Sequence, residues 1–174
     1  MDTQTIERTT LSNLIYNENY ARKVLPFIKG KYFEVREERI IFEEISNFVD
    51  KYKKIPTQTS LEIEVGERKD LSEIEYKKVV DIIKTLNPVE VDFDWLVDHT
   101  EKFCKDKAIH NASVDGISII DGRDKNRTPD SIPSILTDAL AVSFDNAVGQ
   151  DYIDDADSRL SLIHISEPTR PSSI

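Results

Sequence analysis

His99, Cys104 and His110 are side chains in the middle of the chain that could bind a metal ion or act as a nucleophile. On a helix their spacings place them around the axis without a common face, and no Glu-x-x-His pair is present to supply two ligands from one helix. Cys104 stands among apolar and small residues, where a buried, unreactive thiol is the ordinary state of a cysteine. We therefore expect neither a metal site nor a cysteine nucleophile.

A group of aspartates near the end of the chain is a second candidate for cation binding. Asp151, Asp154, Asp155 and Asp157 lack the alternating ligands, central glycine and final glutamate of an EF-hand loop, so we expect a solvated, charged linker. The phosphate-binding motif Gly-x-x-x-x-Gly-Lys-Ser/Thr is also missing from these residues. We expect no catalytic site and no bound cofactor in this chain.

One long amphipathic segment, residues 92–122, carries the histidines and the cysteine and predicts a single helix. Apolar or small residues recur in steps of three and four and trace one face. Within it Cys104, Ala108, Ala112 and Gly116 are four residues apart and small, so another helix can approach closely. Two occupants remain open, the helix predicted at residues 131–145 and a second subunit. The whole predicted face comprises Phe93, Leu96, Val97, Thr100, Phe103, Cys104, Ala108, Ala112, Gly116, Ile119 and Ile120.

Two paired helices alone bury little apolar surface, which favours a partner. We therefore predict that the long helix and the helix after it form a subunit interface. Its predicted residues are Phe103, Cys104, Ala108, Ala112, Gly116, Ile135, Leu136 and Leu140.

The remaining apolar residues also follow helical spacing, and no β-strand is predicted. Thr59 with Glu62 and Ser72 with Glu75 have the spacing of capping boxes, and Pro26 is expected to end the second helix. The predicted fold class is all-α, a small helical globule followed by a long antiparallel helical hairpin. The predicted helices before the long one cover residues 5–16, 18–25, 36–53, 59–65 and 72–86.

The predicted organisation has four parts. They are a helical globule (1–91), a helical hairpin (92–150), the start of a linker (151–160) and an artefactual tail (161–174). The tail shows no periodicity, and residues 162–171, LIHISEPTRP, resemble translated sequencing-adapter DNA. We exclude the tail from fold reasoning.

Composition limits the possible partners. The chain has 174 residues, 39% of them hydrophobic, which is enough for a core. With 33 acidic and 23 basic residues the formal net charge is −10, which opposes binding to phosphate backbones. The N-terminus lacks the apolar core of a signal peptide, no run of apolar residues is long enough to span a bilayer, and one cysteine fits a reducing compartment. We expect a soluble, cytoplasmic protein without membrane contact.

DFDWLVDHTEKF at 92–103, SIPSIL at 131–136 and ALAVSFDNAVGQDYIDD at 139–155 are among several distinctive stretches of the chain. Together these stretches resemble one family, the DnaB-type replicative helicases, and in particular those of T-even-like bacteriophages. The likeness covers residues 11–160 and is to the N-terminal domain of that family. The most specific stretch is ALAVSFDNAVGQDYIDD at 139–155. The others are Tyr32–Phe33, Arg39 to Ile45, Ile55 to Thr57 with Leu61, DFDWLVDHTEKF at 92–103, Asn111 with Ala112, and SIPSIL at 131–136.

The resemblance implies a six-subunit ring that unwinds DNA with ATP, in which N-terminal domains form a collar. It implies self-association through paired hairpins, docking of DNA primase on the collar, and contact with single-stranded DNA only through the parent ring. The motor domain with its phosphate loop is missing from these residues, so ATP and magnesium are expected only in the parent protein. If the parent is phage-encoded, its location is the host cytoplasm.

A second hypothesis comes from another class of protein. A free-standing helical adaptor, a helicase-loading or regulatory protein without catalytic activity, fits the same elements. The DNA beyond codon 160 separates the two hypotheses, because a continuing frame with a phosphate loop supports the helicase and a natural stop supports the adaptor.

Overall fold

The computed structural model describes residues 3–144 and contains only helices and connecting segments in that range, which confirms the all-α class. The predicted linker and tail, residues 151–174, lie outside the described residues. The α-helices are α1 Thr3–Tyr16, α2 Glu18–Val24, α3 Arg36–Tyr52, α4 Gln58–Glu67, α5 Glu73–Thr85, α6 Phe93–Ile120 and α7 Ile132–Leu140, with 3₁₀ turns at Gly30–Tyr32 and Pro129–Ser131.

Short polar residues begin α2, α4, α5 and α6, because a side-chain oxygen satisfies a backbone N–H that the first turn leaves free. Asn17 accepts from the N–H of Tyr20 at 3.0 Å and starts α2. At α5 the predicted capping box is confirmed: the Ser72 hydroxyl accepts from the N–H of Glu75 at 3.3 Å, and the Glu75 carboxylate accepts from the N–H of Ser72 at 2.9 Å. The second helix ends at Val24, ahead of Pro26, as expected.

The predicted start and end of α4 are wrong. The capping residue is Thr57, whose hydroxyl accepts from the N–H of Ser60 at 3.1 Å, so Thr59 lies inside the helix. The Gln58 side chain donates to the carbonyl groups of Ile83 and Leu86 at 2.8 and 2.5 Å and thereby holds this start against the end of α5. The helix also continues past Gly66 to Glu67. The helix thus begins with a second local capping box, Thr57 with Ser60, and the contacts of Gln58 add a tertiary interaction to that start.

A single hydrophobic core connects α1, α2, α3 and α5 with the first half of α6. Tyr20 is fully buried and its hydroxyl lies 2.7 Å from that of Thr100 on α6. Phe33 stacks on Phe42 and meets Phe103 of α6 edge-on at a centroid distance of 6.0 Å. The core thus includes residues on both sides of the boundary predicted at residue 92, and the division into globule and hairpin stays a prediction.

The apolar face predicted for α6 is buried except at its two ends. Phe93 is 38% exposed and Ile120 is 70% exposed, so the burial predicted for these two residues is wrong. Phe93 is the first residue of the helix and Ile120 the last, where few neighbouring elements remain to cover them. At about 1.5 Å per residue the 28 residues of α6 span roughly 42 Å. The last turns of α6, after Ala112, contribute no residue to the hydrophobic core.

After α6 the chain turns and α7 returns along it. Gly122, with φ of 70°, occupies the left-handed conformation that a glycine accepts easily. Helix α7 ends at Leu140, earlier than the predicted residue 145. The chain then leaves the helix and buries Phe144, which stacks on Phe27 with centroids 4.6 Å apart. Burial of this ring in the globule accounts for the early end of α7.

Candidate interaction surfaces

The small residues of α6 face other parts of the same chain. Cys104, Ala108 and Ala112 are buried, and a β-carbon added at Gly116 would meet the Cγ2 of Ile132 at 3.6 Å. Helix α7 of the same chain thus occupies the groove that the four-residue spacing predicted. This is the first of the two occupants that the sequence left open. The assignment of these residues to a subunit interface stays a prediction.

The other predicted interface residues differ in exposure. Phe103 is buried in the globule core, whereas Ile135 and Leu136 of α7 are half-buried against it. Leu140 is 59% exposed. Of the predicted set, α7 therefore supplies the apolar side chains that a second molecule could reach.

An exposed apolar stripe runs along the outer side of α6. Val114, Ile117 and Ile120 follow one another at intervals of three residues, and more than half of each side chain is exposed. Val114 and Ile117 lie on the side of the helix away from Ala112, whereas Ile120, four residues after Gly116, is exposed as the last residue of the helix. Sequence reasoning missed Val114 and Ile117 and placed Ile120 on the buried face. The spacing of these three residues was the available signal, but the sequence interpretation was based on the longer row of small residues. We call these three residues the outer stripe.

A second exposed group lies where the chain enters α6. Val89, Val91, Phe93 and Trp95 alternate strictly with acidic residues along the sequence, and all four are exposed. Sequence reasoning took no account of this alternation, which was the available signal. Trp95, the single tryptophan of the chain, stacks on His99 at a centroid distance of 3.8 Å.

A cavity of about 230 Å³ lies between α6, α7 and the 3₁₀ turn Gly30–Tyr32. Ala108, Ala112 and Ala139 are among its apolar lining residues, and Lys29 and Lys31 are among the charged ones. The cavity shows that the two helices are not fully packed against the globule at this point.

A buried group of charges ties α6 to α1 and α3. Glu7 is almost fully buried; it accepts a hydrogen bond from the N–H of Glu34 at 3.3 Å and lies 3.6 Å from Lys107 of α6. Lys107 also donates to the Glu34 carboxylate. Arg8 donates to one oxygen of the buried Glu38, while the other oxygen has no partner. Burial, together with a smaller effect of the neighbouring Glu38, raises the pKa of Glu7 to about 7 against the opposing effects of the Glu34 N–H and of Lys107.

The residues considered for metal binding or catalysis lie apart. His110 is exposed, whereas burial raises the pKa of the Cys104 thiol to about 12, far from the range of a reactive thiolate. Between residues 3 and 144 no three His, Cys, Asp or Glu side chains are grouped so that they could hold a metal ion.

None of the helices in this described range has both the length and the apolar character needed to cross a bilayer.

Comparison with known proteins gives a relative. The chain is 33% identical over 157 residues to a DnaB-like replicative helicase of Enterobacteria phage T4. The alignment covers 86% of this chain and 33% of the relative, so the chain spans about a third of the length of that protein. No family model matches the chain. The similarity supports a relationship of this chain to the DnaB-like replicative helicases.

Proposed function

We propose that this chain is the N-terminal oligomerisation and primase-docking domain, or collar, of a hexameric DnaB-like replicative DNA helicase. The similarity to a replicative helicase over most of the chain supports a role related to DNA replication. In this proposal ATP hydrolysis, magnesium binding and contact with single-stranded DNA belong to the rest of the parent protein. The net charge of −10 supports protein partners over direct binding of this chain to DNA.

The observation that carries the proposal is the outer stripe. Helix α6 buries one face against its own chain and, after Ala112, exposes Val114 and Ile117 on another face and Ile120 at its end. Leu140 adds an exposed apolar side chain on α7. We treat α6 and α7 as a helical hairpin whose inner face is satisfied within the chain and whose outer face pairs with a neighbouring subunit. Covering apolar side chains of this size removes a cost of exposure that a single chain retains.

Replacement of Ile117 by glutamate tests this pairing. We expect the unaltered chain to associate at high concentration, and Ile117→Glu to weaken association by more than about tenfold, because a charge would have to be desolvated in an apolar contact. Because Ile117 is exposed, the free energy of unfolding of the subunit should change by no more than about 0.5 kcal/mol. Size-exclusion chromatography with light scattering measures the association, and urea unfolding measures the stability.

Ser134→Glu is the matched control, because it adds the same charge at an exposed position of α7 outside the proposed contact. Association should persist in this variant. A strictly monomeric unaltered chain at high concentration, or equal association of both glutamate variants, would contradict pairing through the outer stripe.

A further inference from the structure

The segment between α5 and α6 leaves its backbone unpaired. Within the described part of the chain, residues 88–91 make no backbone hydrogen bond, and each of them is exposed. The flanking residues Leu86 and Asp92 have ψ values of 109° and 134°, which are those of extended backbone. Pro88 restricts its own conformation and that of Asn87 to the same region. The segment offers the N–H groups of residues 89–91 and the C=O groups of residues 88–91 for pairing with another extended chain, since Pro88 has no N–H.

The side chains of this segment alternate in a way that suits such pairing. Val89, Val91, Phe93 and Trp95 are separated by Glu90, Asp92 and Asp94. In an extended chain successive side chains point to opposite sides, so Val89 and Val91 can share one side and Glu90 the other. Five large apolar residues in or next to this segment are each between 36% and 43% exposed. They are Tyr16, Val89, Val91, Phe93 and Trp95.

A groove beside the segment provides room for a bound peptide. Its volume is about 540 Å³, and residues 88–91 form one wall while residues 13–19, at the corner between α1 and α2, form the other. The Tyr16 hydroxyl donates to the carbonyl of Leu86 at 3.2 Å and so connects the two walls at one end. Tyr16 also lines the groove, which places an aromatic ring next to the unpaired backbone.

The charges around the groove indicate which kind of partner it can bind. Glu18 and Glu90 line it, and Asp94 follows on the first turn of α6. Glu18 is paired with Arg22 at 2.8 Å, whereas Glu90 and Asp94 have no ion pair among the described residues. These carboxylates repel a nucleic acid, and they also disfavour a second copy of a chain with net charge −10. Complementarity requires a basic partner.

We propose that residues 88–91 and the adjoining groove bind an extended segment of a partner protein in which apolar and basic side chains alternate. Backbone hydrogen bonds to the unpaired segment would give affinity, while the apolar wall and the free carboxylates would give specificity. This site lies at the start of α6, away from the outer stripe. It rests on the docking part of the proposed function and is independent of the self-association part.

The test uses the whole 174-residue chain and a blocked octapeptide in which valine and lysine alternate. We expect saturable binding, with NMR shifts concentrated in the amides of residues 87–95 and 13–19 and a change in the fluorescence of Trp95. Two control peptides should bind at least about tenfold more weakly, because each loses one element of recognition. One has its four valines and four lysines in separate blocks, and the other has N-methylated valines that cannot donate backbone hydrogen bonds.

A pair of charge variants locates the site. Glu90→Lys should weaken binding of the alternating peptide by about tenfold, whereas Glu67→Lys, the same change at an exposed site at the end of α4, should leave it within about twofold. Equal binding of the N-methylated peptide, or equal loss in both variants, would overturn the proposal.

Light scattering on the same samples separates this inference from self-association. An oligomer that does not bind the peptide contradicts the docking site alone. A monomer that binds the alternating peptide supports the docking site and contradicts subunit pairing.

Discussion

At the scale of single residues, the most unusual group is the carboxyl of Glu7. It is buried next to the Glu38 carboxylate, one oxygen of which has no hydrogen-bond partner. A protonated Glu7 can donate to that oxygen, and protonation also removes a repulsion between two buried negative charges. The pKa of Glu7, raised to about 7, means that this proton is held in the folded state at pH values where an unfolded chain has lost it.

The stability of the chain should therefore depend on the protonation of Glu7. Because its pKa is raised from 4.5 to about 7 on folding, its stabilising contribution is complete below pH 4.5 and is lost as pH rises through 7. We expect this loss to amount to about 3 kcal/mol, less any relaxation of the site. Urea unfolding of the unaltered chain and of Glu7→Gln between pH 4.5 and 8.5 measures it.

The glutamine variant keeps a hydrogen-bond donor at this position and cannot ionise. Its free energy of unfolding relative to that of the unaltered chain should therefore increase with pH across the window. A constant difference between the two proteins from pH 4.5 to 8.5 would contradict a buried, titrating Glu7.

At the scale of elements, capping patterns predicted the existence of helices better than their first residues. The boxes at Thr59 and at Ser72 have the same kind of spacing, yet only the second is used. At α4 the overlapping box of Thr57 with Ser60 is used instead, and this start places Gln58 where it donates to the carbonyl groups of Ile83 and Leu86. Two overlapping local signals are thus present, and a tertiary contact accompanies the one that is used.

Alanine substitutions distinguish the two threonines. Thr57→Ala should reduce the free energy of unfolding by about 1 kcal/mol, because the N–H of Ser60 loses its acceptor. Thr59→Ala should change it by less than about 0.5 kcal/mol, since this side chain is exposed inside the helix. Thermal or urea unfolding gives both values. A larger loss of unfolding free energy for Thr59→Ala than for Thr57→Ala would contradict the start at Thr57 and support the start predicted from spacing alone.

The faces of α6 show a related limit of sequence patterns. Small residues at intervals of four predict close helix packing whether the second helix comes from the same chain or from another. The structure places α7 of the same chain in that groove and leaves the outer stripe, Val114, Ile117 and Ile120, uncovered. Exposure, which depends on every neighbouring element, identifies the surface available to a partner.

At the scale of the whole molecule, one core joins the globule to the base of α6 and to the end of the described chain. Phe144 belongs to this core through its stacking on Phe27, although it follows α7 in the sequence. The segment after α7 is therefore anchored to the globule, which fixes the position of α7 from both of its ends.

Removal of the Phe144 ring tests this anchoring. Phe144→Ala should reduce the free energy of unfolding by about 3 kcal/mol or more, because a fully buried ring is lost and a cavity remains. Phe93→Ala removes the same ring at a site 38% exposed and should cost markedly less. Denaturant unfolding measures both. Equal losses would show that Phe144 is not part of the core.

The sequence by itself determined the helical class and the approximate extent of each element, because periodicity, capping residues and proline act within a few residues. The sequence also contains the spacing of the outer stripe and the alternation of apolar and acidic residues at 89–95, although sequence reasoning did not use either pattern.

Only the tertiary structure decided which partner fills the small-residue groove and why α7 ends early. Each of these depends on contacts between residues far apart in the chain, such as Gly116 with Ile132 or Phe27 with Phe144. The free energy of such contacts depends on which surfaces are covered once all the helices have packed. The spacing of residues within one helix does not contain this information.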